Sequence, residues 1–169
     1  DIAGTETVIE SESETEMQKE VQVDGISITG MSKSEAKAAI LKAFPWSMTV
    51  EYDSDQYKVT DLMAEKVDAL LDEIYKDGSD PQESYTLDTS GLDEKVKAEA
   101  AACGAKWDKK AKNGSIDKFD AASGKFVFAG EENGFAIDQD KLAADISQAL
   151  KDKKFDAKIT ATGSDVAPE

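Results

Sequence analysis

The chain has 169 residues, 40% of them apolar, which is enough for one domain or two small lobes with a real core. Its formal net charge is −16, and it contains no His. All of its basic residues are Lys. This balance disfavours binding to nucleic acid or to an anionic membrane surface, because both need a basic face. Without His the chain lacks the commonest general base near neutral pH and the commonest metal ligand, so we expect no metal, no cofactor and no catalysis.

The first twenty residues are rich in Glu, Ser and Thr and contain few apolar side chains. This composition predicts a disordered acidic tether over residues 1–20, with a frayed first helix as the alternative. The sequence starts at Asp1 without Met and has no apolar run long enough to span a bilayer. We therefore expect that a signal or anchor segment has been removed upstream of Asp1.

Residues 21–80 have the pattern of an N-terminal α+β lobe. The alternation over Val21–Thr29 predicts a strand with a change of face near Gly25. Ser32 and Glu35 form a capping-box signature, which predicts a helix that ends before Pro45.

A hairpin and a second helix follow in the same lobe. Residues 47–52 and 56–59 flank an Asp-Ser-Asp turn, which is typical of a hairpin. Asp61 is expected to cap a helix that ends before the break at residues 76–81. The buried stripe predicted for this helix contains Met63, Val67, Leu70, Leu71 and Ile74.

Residues 81–163 are predicted to form a second lobe, and residues 164–169 a tail. This lobe opens with a short strand at residues 84–87 and a helix from Leu92 to Cys103 that is stopped by Gly104. The apolar stripe predicted for this helix contains Leu92, Val96, Ala100 and Cys103.

Three strands are expected next in the second lobe, and their apolar positions are Ile116 with Phe119, Phe126 with Phe128, and Phe135 with Ile137. Ser123-Gly124 and Asn133-Gly134 are the predicted turns between them. Asp138 is expected to cap a last helix, and residues 155–162 to form a final strand. The stripe predicted for that helix contains Leu142, Ile146, Ala149 and Leu150.

These elements together predict an α+β fold in which short antiparallel strands and hairpins carry about four helices. The sequences Gly-Ile-Ser-Ile from Gly25 and Gly-Phe-Ala-Ile from Gly134 each precede a helix and then a strand. Two similar strand–helix–strand lobes derived by duplication are one interpretation, and chance likeness between short amphipathic units is the other.

The stretch from Trp107 to Leu150 resembles a known family, the peptidoglycan-binding domain found beside VanW-type domains and L,D-transpeptidase (YkuD-type) catalytic domains in Gram-positive bacteria. The residues that carry the likeness are the Gly-Lys-Phe strand at Gly124, the acidic turn Glu131-Glu132 and the Gly-Phe-Ala-Ile-Asp unit from Gly134 to Asp138. The upstream segment Val23–Ile40 is similar to the lead-in of such proteins. The resemblance implies a non-catalytic, extracellular cell-wall module that binds or positions itself on peptidoglycan.

Two other function classes stay open beside this one. The chain could be a structural spacer or a protein-interaction module next to a transpeptidase or VanW domain. An enzyme is the third class, but catalytic L,D-transpeptidases need a Cys with a nearby His, and this chain has no His. Cys103 lies on an apolar helical stripe, which indicates a buried structural thiol.

The candidate ligand-binding residues are two tryptophans and a group of lysines. Trp46 and Trp107 are candidate stacking platforms for sugar rings, and the alternative is that each anchors a helix end to a sheet. Lys109, Lys110 and Lys112, with Lys106 nearby, form a basic cluster that could meet acidic wall polymers or peptide carboxylates. The alternative for the lysines is a solvated surface loop. Tyr52 and Tyr57 are expected on strands with their hydroxyls at the surface.

Overall fold

The computed structural model describes residues 15–112, 115–120, 125–129 and 132–168, and for residues 115–120 and 125–129 it describes the backbone. Within these residues the chain forms four helices and ten short strands. The helices are α1 (Lys33–Ala43), α2 (Ala64–Ile74), α3 (Asp93–Trp107) and α4 (Gln139–Lys151). The predicted α+β class is confirmed.

The strands are short, and they pair in small sheets of two or three. They are β1 (Gln22–Val23), β2 (Ile26–Ser27), β3 (Thr49–Tyr52), β4 (Asp55–Lys58), β5 (Ser84–Tyr85), β6 (Ser115–Asp120), β7 (Lys125–Ala129), β8 (Gly134–Ile137), β9 (Lys158–Thr160) and β10 (Gly163–Val166). Most of the predicted tether (residues 1–14) and the predicted Ser123-Gly124 turn lie outside the described residues.

The chain divides into two compact units, and the first contains Asp1–Ser47, Asp61–Leu92 and Leu150–Asp156. In this unit β1 pairs antiparallel with β2 and parallel with β5. Asp24 and Gly25 form the turn between β1 and β2 with positive φ angles of 47° and 83°. The single strand predicted over residues 21–29 is therefore wrong, because an Asp-Gly pair that adopts positive φ folds the segment into a hairpin.

α1 begins at its predicted cap Ser32, whereas the N-cap of α2 is Met63, two residues after the predicted cap Asp61. The Ser32 side chain accepts a hydrogen bond from the Glu35 N–H, and the Glu35 carboxylate accepts one from the Ser32 N–H at 2.9 Å, which completes the capping box. Asp61 Oδ1 accepts hydrogen bonds from the backbone N–H groups of Met63 and Ala64 at 2.9 and 3.0 Å. Each carboxylate or hydroxyl satisfies N–H groups that the first helical turn leaves without a partner.

The core of the first unit is apolar and closed to solvent. Its fully buried side chains include Val21, Val23, Ile28, Ile40, Leu71 and Ile74. Leu70 is only half-buried, so the predicted stripe on α2 is correct at Met63, Val67, Leu71 and Ile74 but too wide at Leu70. Met17, within the predicted tether, is buried and donates its N–H to the Met31 carbonyl at 2.8 Å. The lobe boundaries that the sequence suggests stay a prediction.

The second unit contains Met48–Thr60, Asp93–Ala149 and Ala157–Glu169. Its central sheet has the order β4–β3–β9, with β3 antiparallel to β4 and parallel to β9. β6 pairs with β7 as a hairpin, as predicted, and β8 pairs antiparallel with β10. Neither β10 nor the parallel β3–β9 pairing was predicted from the sequence.

Two glycines of the second unit have roles other than the predicted ones. α3 does not stop at Gly104 but continues through it to Trp107, and Gly104 is buried. Gly134 is not a turn residue: it is the first residue of β8 and is buried. A Cβ atom on Gly134 would meet the backbone of Ala111, Lys109 and Lys110, so Gly134 permits a close approach of two backbone segments.

Candidate aromatic and lysine site

Three aromatic rings of the second unit pack in a row. Phe135 on β8 stacks on Tyr52 of β3, with ring centroids 5.0 Å apart and planes at 27°. Tyr52 in turn contacts Trp107, the last residue of α3, with centroids 5.6 Å apart and planes at 47°. All three residues are half-buried, so the row is partly open to solvent. We call this group the aromatic cluster.

Trp107 is held in the aromatic cluster by Asp55, at the start of β4. The indole Nε1–H donates a hydrogen bond to Asp55 Oδ2 at 2.9 Å, and Lys106 Nζ lies 3.4 Å from the same oxygen. The Trp107 hydrogen bond, followed by the Gln56 backbone N–H, lowers the pKa of Asp55 below its ordinary value of 3.8. The end of α3 is thereby tied to the β3–β4 hairpin, which is the anchoring role considered for Trp107.

This arrangement predicts a titration that Trp107 itself reports. Because the folded pKa of Asp55 is depressed, the Asp55–Trp107 interaction is fully present above pH 3.8 and is lost as the pH falls through the folded value. We expect the Trp107 indole N–H resonance, assigned with a Trp46→Phe variant, to shift with a midpoint below 3.8. Asp55→Asn should abolish the titration, and a midpoint at or above 3.8 would contradict the assignment.

The lysine segment that follows α3 is fixed to β8 by backbone hydrogen bonds. Lys109 N–H donates to the Phe135 carbonyl at 2.9 Å, and Phe135 N–H donates to the Lys109 carbonyl at 2.8 Å. Lys112 and Glu132 exchange the same pair of bonds at 2.9 and 3.1 Å. The segment from Lys109 to Lys112 therefore extends along one edge of β8, and β10 occupies the other edge.

An open groove lies between this segment and the end of β10. Lys109 and Lys110 line it, and both are exposed. Its other lining residues are mostly small: Gly104, Ala105, Asp108, Ala111, Phe135, Ala136, Val166 and Ala167. We call it the lysine groove. Phe135 belongs both to the lysine groove and to the aromatic cluster, so the two features adjoin.

The predicted site residues are divided between the two units. Trp107, Lys109, Lys110 and Lys112 all belong to the second unit. Lys112 points at Glu132, with 4.0 Å between Nζ and Oε2. Trp46 belongs to the first unit, where its ring stacks on Phe155 at 5.7 Å and 25°.

Cys103 is not arranged as a nucleophile. Its side chain is fully buried on α3. Burial, with a contribution from the Glu99 carboxylate, raises the pKa of the Cys103 thiol to about 11, so it is protonated at neutral pH. Within the residues that the structure describes, no three His, Cys, Asp or Glu side chains come together as a metal site, and no helix is long and apolar enough to cross a membrane.

Tyr52, Phe135 and Asp55 were not predicted from the sequence as members of this site. Tyr52 and Phe135 lie on strands, as predicted, whereas Asp55, predicted in a turn, is the first residue of β4. The contacts of these three residues around Trp107 were not predicted. The sequence contains one local indication of this contact. Tyr52 and Asp55 flank the same tight turn, so a side chain that contacts one of them can also reach the other.

A family model described as "Putative peptidoglycan binding domain" matches residues 46–157, about two thirds of the chain. The chain belongs to this family. The resemblance stated from the sequence is therefore confirmed, and the matched range contains the whole aromatic cluster and the Lys109–Lys112 segment.

Comparisons with individual proteins add less than the family match. No curated protein sequence matches the chain. A similar solved structure is titled "Structure of the Ldtfm-avibactam carbamoyl enzyme", with 14% sequence identity and a TM-score of 0.36. The match covers 76% of this chain and 44% of that one, so the chain spans less than half of that structure's length.

Trp46 is the first residue of the range that the family model matches, and the aromatic cluster lies later in the same range. The Trp46 ring stacks on Phe155, and Phe155 also contacts Phe44 edge-on at 6.1 Å. This environment agrees with the anchoring role considered for Trp46.

Proposed function

We propose that the chain is a non-catalytic, extracellular module that binds peptidoglycan in a Gram-positive cell wall through the aromatic cluster and the lysine groove. The observation that carries the proposal is the exposed part of the Tyr52–Trp107–Phe135 row beside two exposed lysines, in a member of a peptidoglycan-binding family. Sugar rings present C–H faces that pack on aromatic planes, and the adjoining cations suit the carboxylates of a peptide-bearing glycan.

The environment of Cys103 favours a binding role over an enzymatic one. The buried Cys103 thiol has a raised pKa, and the sequence contains no His that could act as its base. We expect Cys103→Ala to leave binding to the cell wall unchanged. Turnover of peptidoglycan fragments that disappears in Cys103→Ala would instead support the enzyme class.

A spacer or protein-interaction module beside a transpeptidase or VanW domain is the second candidate. The observation that favours it is that both tryptophans have structural roles: Trp107 ties α3 to the β3–β4 hairpin, and Trp46 stacks on Phe155. Under this hypothesis the exposed ring surface has no ligand, and the wall contact belongs to a neighbouring domain.

Co-sedimentation with purified cell-wall sacculi at physiological salt separates these candidates. We expect enrichment of the wild-type chain over an equally acidic control protein, and about tenfold weaker binding for Trp107→Ala, which corresponds to about 1.4 kcal/mol. Lys109→Gln/Lys110→Gln should also weaken binding, since it removes both ammonium groups without touching the core.

The control for the lysine variant is Lys42→Gln/Lys154→Gln, which makes the same charge change at two exposed lysines of the first unit. This control should bind like the wild type. Circular dichroism of each variant verifies that the fold is kept. No enrichment of the wild type over the acidic control protein would exclude the binding function and favour the spacer.

A further inference from the structure

Lys109 and Lys110 stand out because two acidic residues close to them in the fold already have other partners. Asp108, their neighbour in sequence, accepts the Ile137 N–H through Oδ1 at 2.8 Å. Glu132, across the β8 edge, lies within ion-pair distance of Lys112. Among the described residues, no carboxylate forms an ion pair with Lys109 or Lys110, whereas Lys106 and Lys112 on either side each have one.

The backbone at Lys109 and Lys110 is held in place by hydrogen bonds within the protein itself. Lys109 is held by two hydrogen bonds to Phe135, and Lys112 by two to Glu132, so Lys110 lies in an extended segment fixed on both sides. Gly134 provides the space that lets this segment lie against β8. A pre-set backbone reduces the conformational entropy that binding would otherwise cost.

The strongly negative net charge of the protein explains why two local cations would matter for contact with an anionic polymer. A chain with a net charge of −16 is repelled by an anionic polymer, so contact with one needs a local positive surface. Lys109 and Lys110 supply two adjacent cations at the rim of a groove that small residues such as Ala105 and Ala136 leave open. A flexible ammonium recognises an anion as a point charge rather than by fixed geometry.

We propose that the lysine groove recognises the carboxylates of the peptide portion of peptidoglycan, and that the ammonium groups of Lys109 and Lys110 pair with these carboxylates. This inference rests on the proposed function and names the chemical group that the groove binds. The competing account is that the two lysines only offset the negative end of the α3 dipole. Under that account, the two lysines do not make the binding affinity depend on the charge of the polymer.

The test measures binding of the full chain to sacculi before and after extraction of their phosphate-containing polymers. In a portion of each preparation the peptide carboxylates are converted to neutral amides. We expect the wild type to bind the amidated sacculi about tenfold more weakly, because two exposed charge pairs are lost. For Lys109→Gln/Lys110→Gln we expect no such loss, and tighter binding is allowed, since amidation also removes the repulsion of the acidic protein.

The opposite behaviour of the two proteins makes each outcome decisive. Wild-type binding that is equal or tighter on amidated sacculi would overturn carboxylate recognition while leaving peptidoglycan binding intact. Binding that is lost when the phosphate polymers are extracted, and is insensitive to amidation before extraction, would overturn it in favour of phosphate. Absence of binding to every preparation would remove the proposed function itself, and the inference with it.

Discussion

Leu71→Ala is expected to lower the free energy of unfolding by about 2–5 kcal/mol. Leu71 lies on α2, and its side chain is fully buried in the first unit. Truncation removes the apolar contacts of the side chain and leaves a cavity that close-packed neighbours fill only in part. Urea denaturation followed by circular dichroism measures the change as a shift of the midpoint at constant slope.

Leu70→Ala is the matched control because it makes the same substitution at the adjacent position of the same helix. Leu70 is half-buried, so its truncation exposes little new surface and leaves no closed cavity. We expect a loss below about 1 kcal/mol, partly offset by the higher helix propensity of Ala. Equal losses for the two variants would show that α2 packs on a different face from the one described.

The contrast between Leu70 and Leu71 also shows how far the sequence could predict the helices. The spacing of apolar residues located the buried stripe of α2, and the Ser32–Glu35 box located the start of α1. Both signals depend on residues within four positions of each other, so they are visible in a single sequence. The width of the stripe at Leu70 depends on what packs against the helix, which the sequence does not reveal.

The strands were harder to predict because their partners are distant in sequence. The parallel pairing of β3 with β9 joins Val50 to Ile159, and nothing local in either segment specifies the other. β10 contains Gly163, Ser164 and Asp165, which have weak strand propensity and formed part of a segment expected to be mostly tail. The Asp24-Gly25 hairpin, in contrast, could have been predicted, since Asp-Gly is a strong signal for a tight turn.

The candidate site shows the same division between local and distant information. Trp107 and the lysines after it were selected from the sequence because they are consecutive. Asp55, which holds the Trp107 indole, lies 52 residues away, and Tyr57 donates its hydroxyl to Glu99 across 42 residues at 2.9 Å. The Tyr57 hydroxyl, expected at the surface, is part-buried where it meets Glu99. Burial, reinforced by this hydrogen bond, raises the pKa of Tyr57 to about 12.

Gly134→Ala is expected to destabilise the second unit by about 3 kcal/mol, near the upper end for an overpacked site. A Cβ atom there would overlap Ala111 N and Lys109 O and lie 2.8 Å from Lys110 C. All three neighbours are backbone atoms held by the Lys109–Phe135 and Lys112–Glu132 hydrogen bonds, so none can rotate away. Thermal and urea denaturation measure the loss. Weaker sacculi binding should accompany it, because the lysines would be displaced.

Gly104→Ala makes the same substitution at a position where we expect a smaller change in the free energy of unfolding. Gly104 lies inside α3, and the atoms nearest to a new Cβ are side-chain atoms, chiefly the flexible amide end of Gln139 and Asp108 Oδ2 at 3.3 Å. Alanine also favours the helix by about 1 kcal/mol over glycine, so we expect a change within about 1 kcal/mol of zero. A large loss at Gly104 with none at Gly134 would contradict the described contact between the lysine segment and β8. The pair thus tests the backbone contact on which the placement of Lys109 and Lys110 depends.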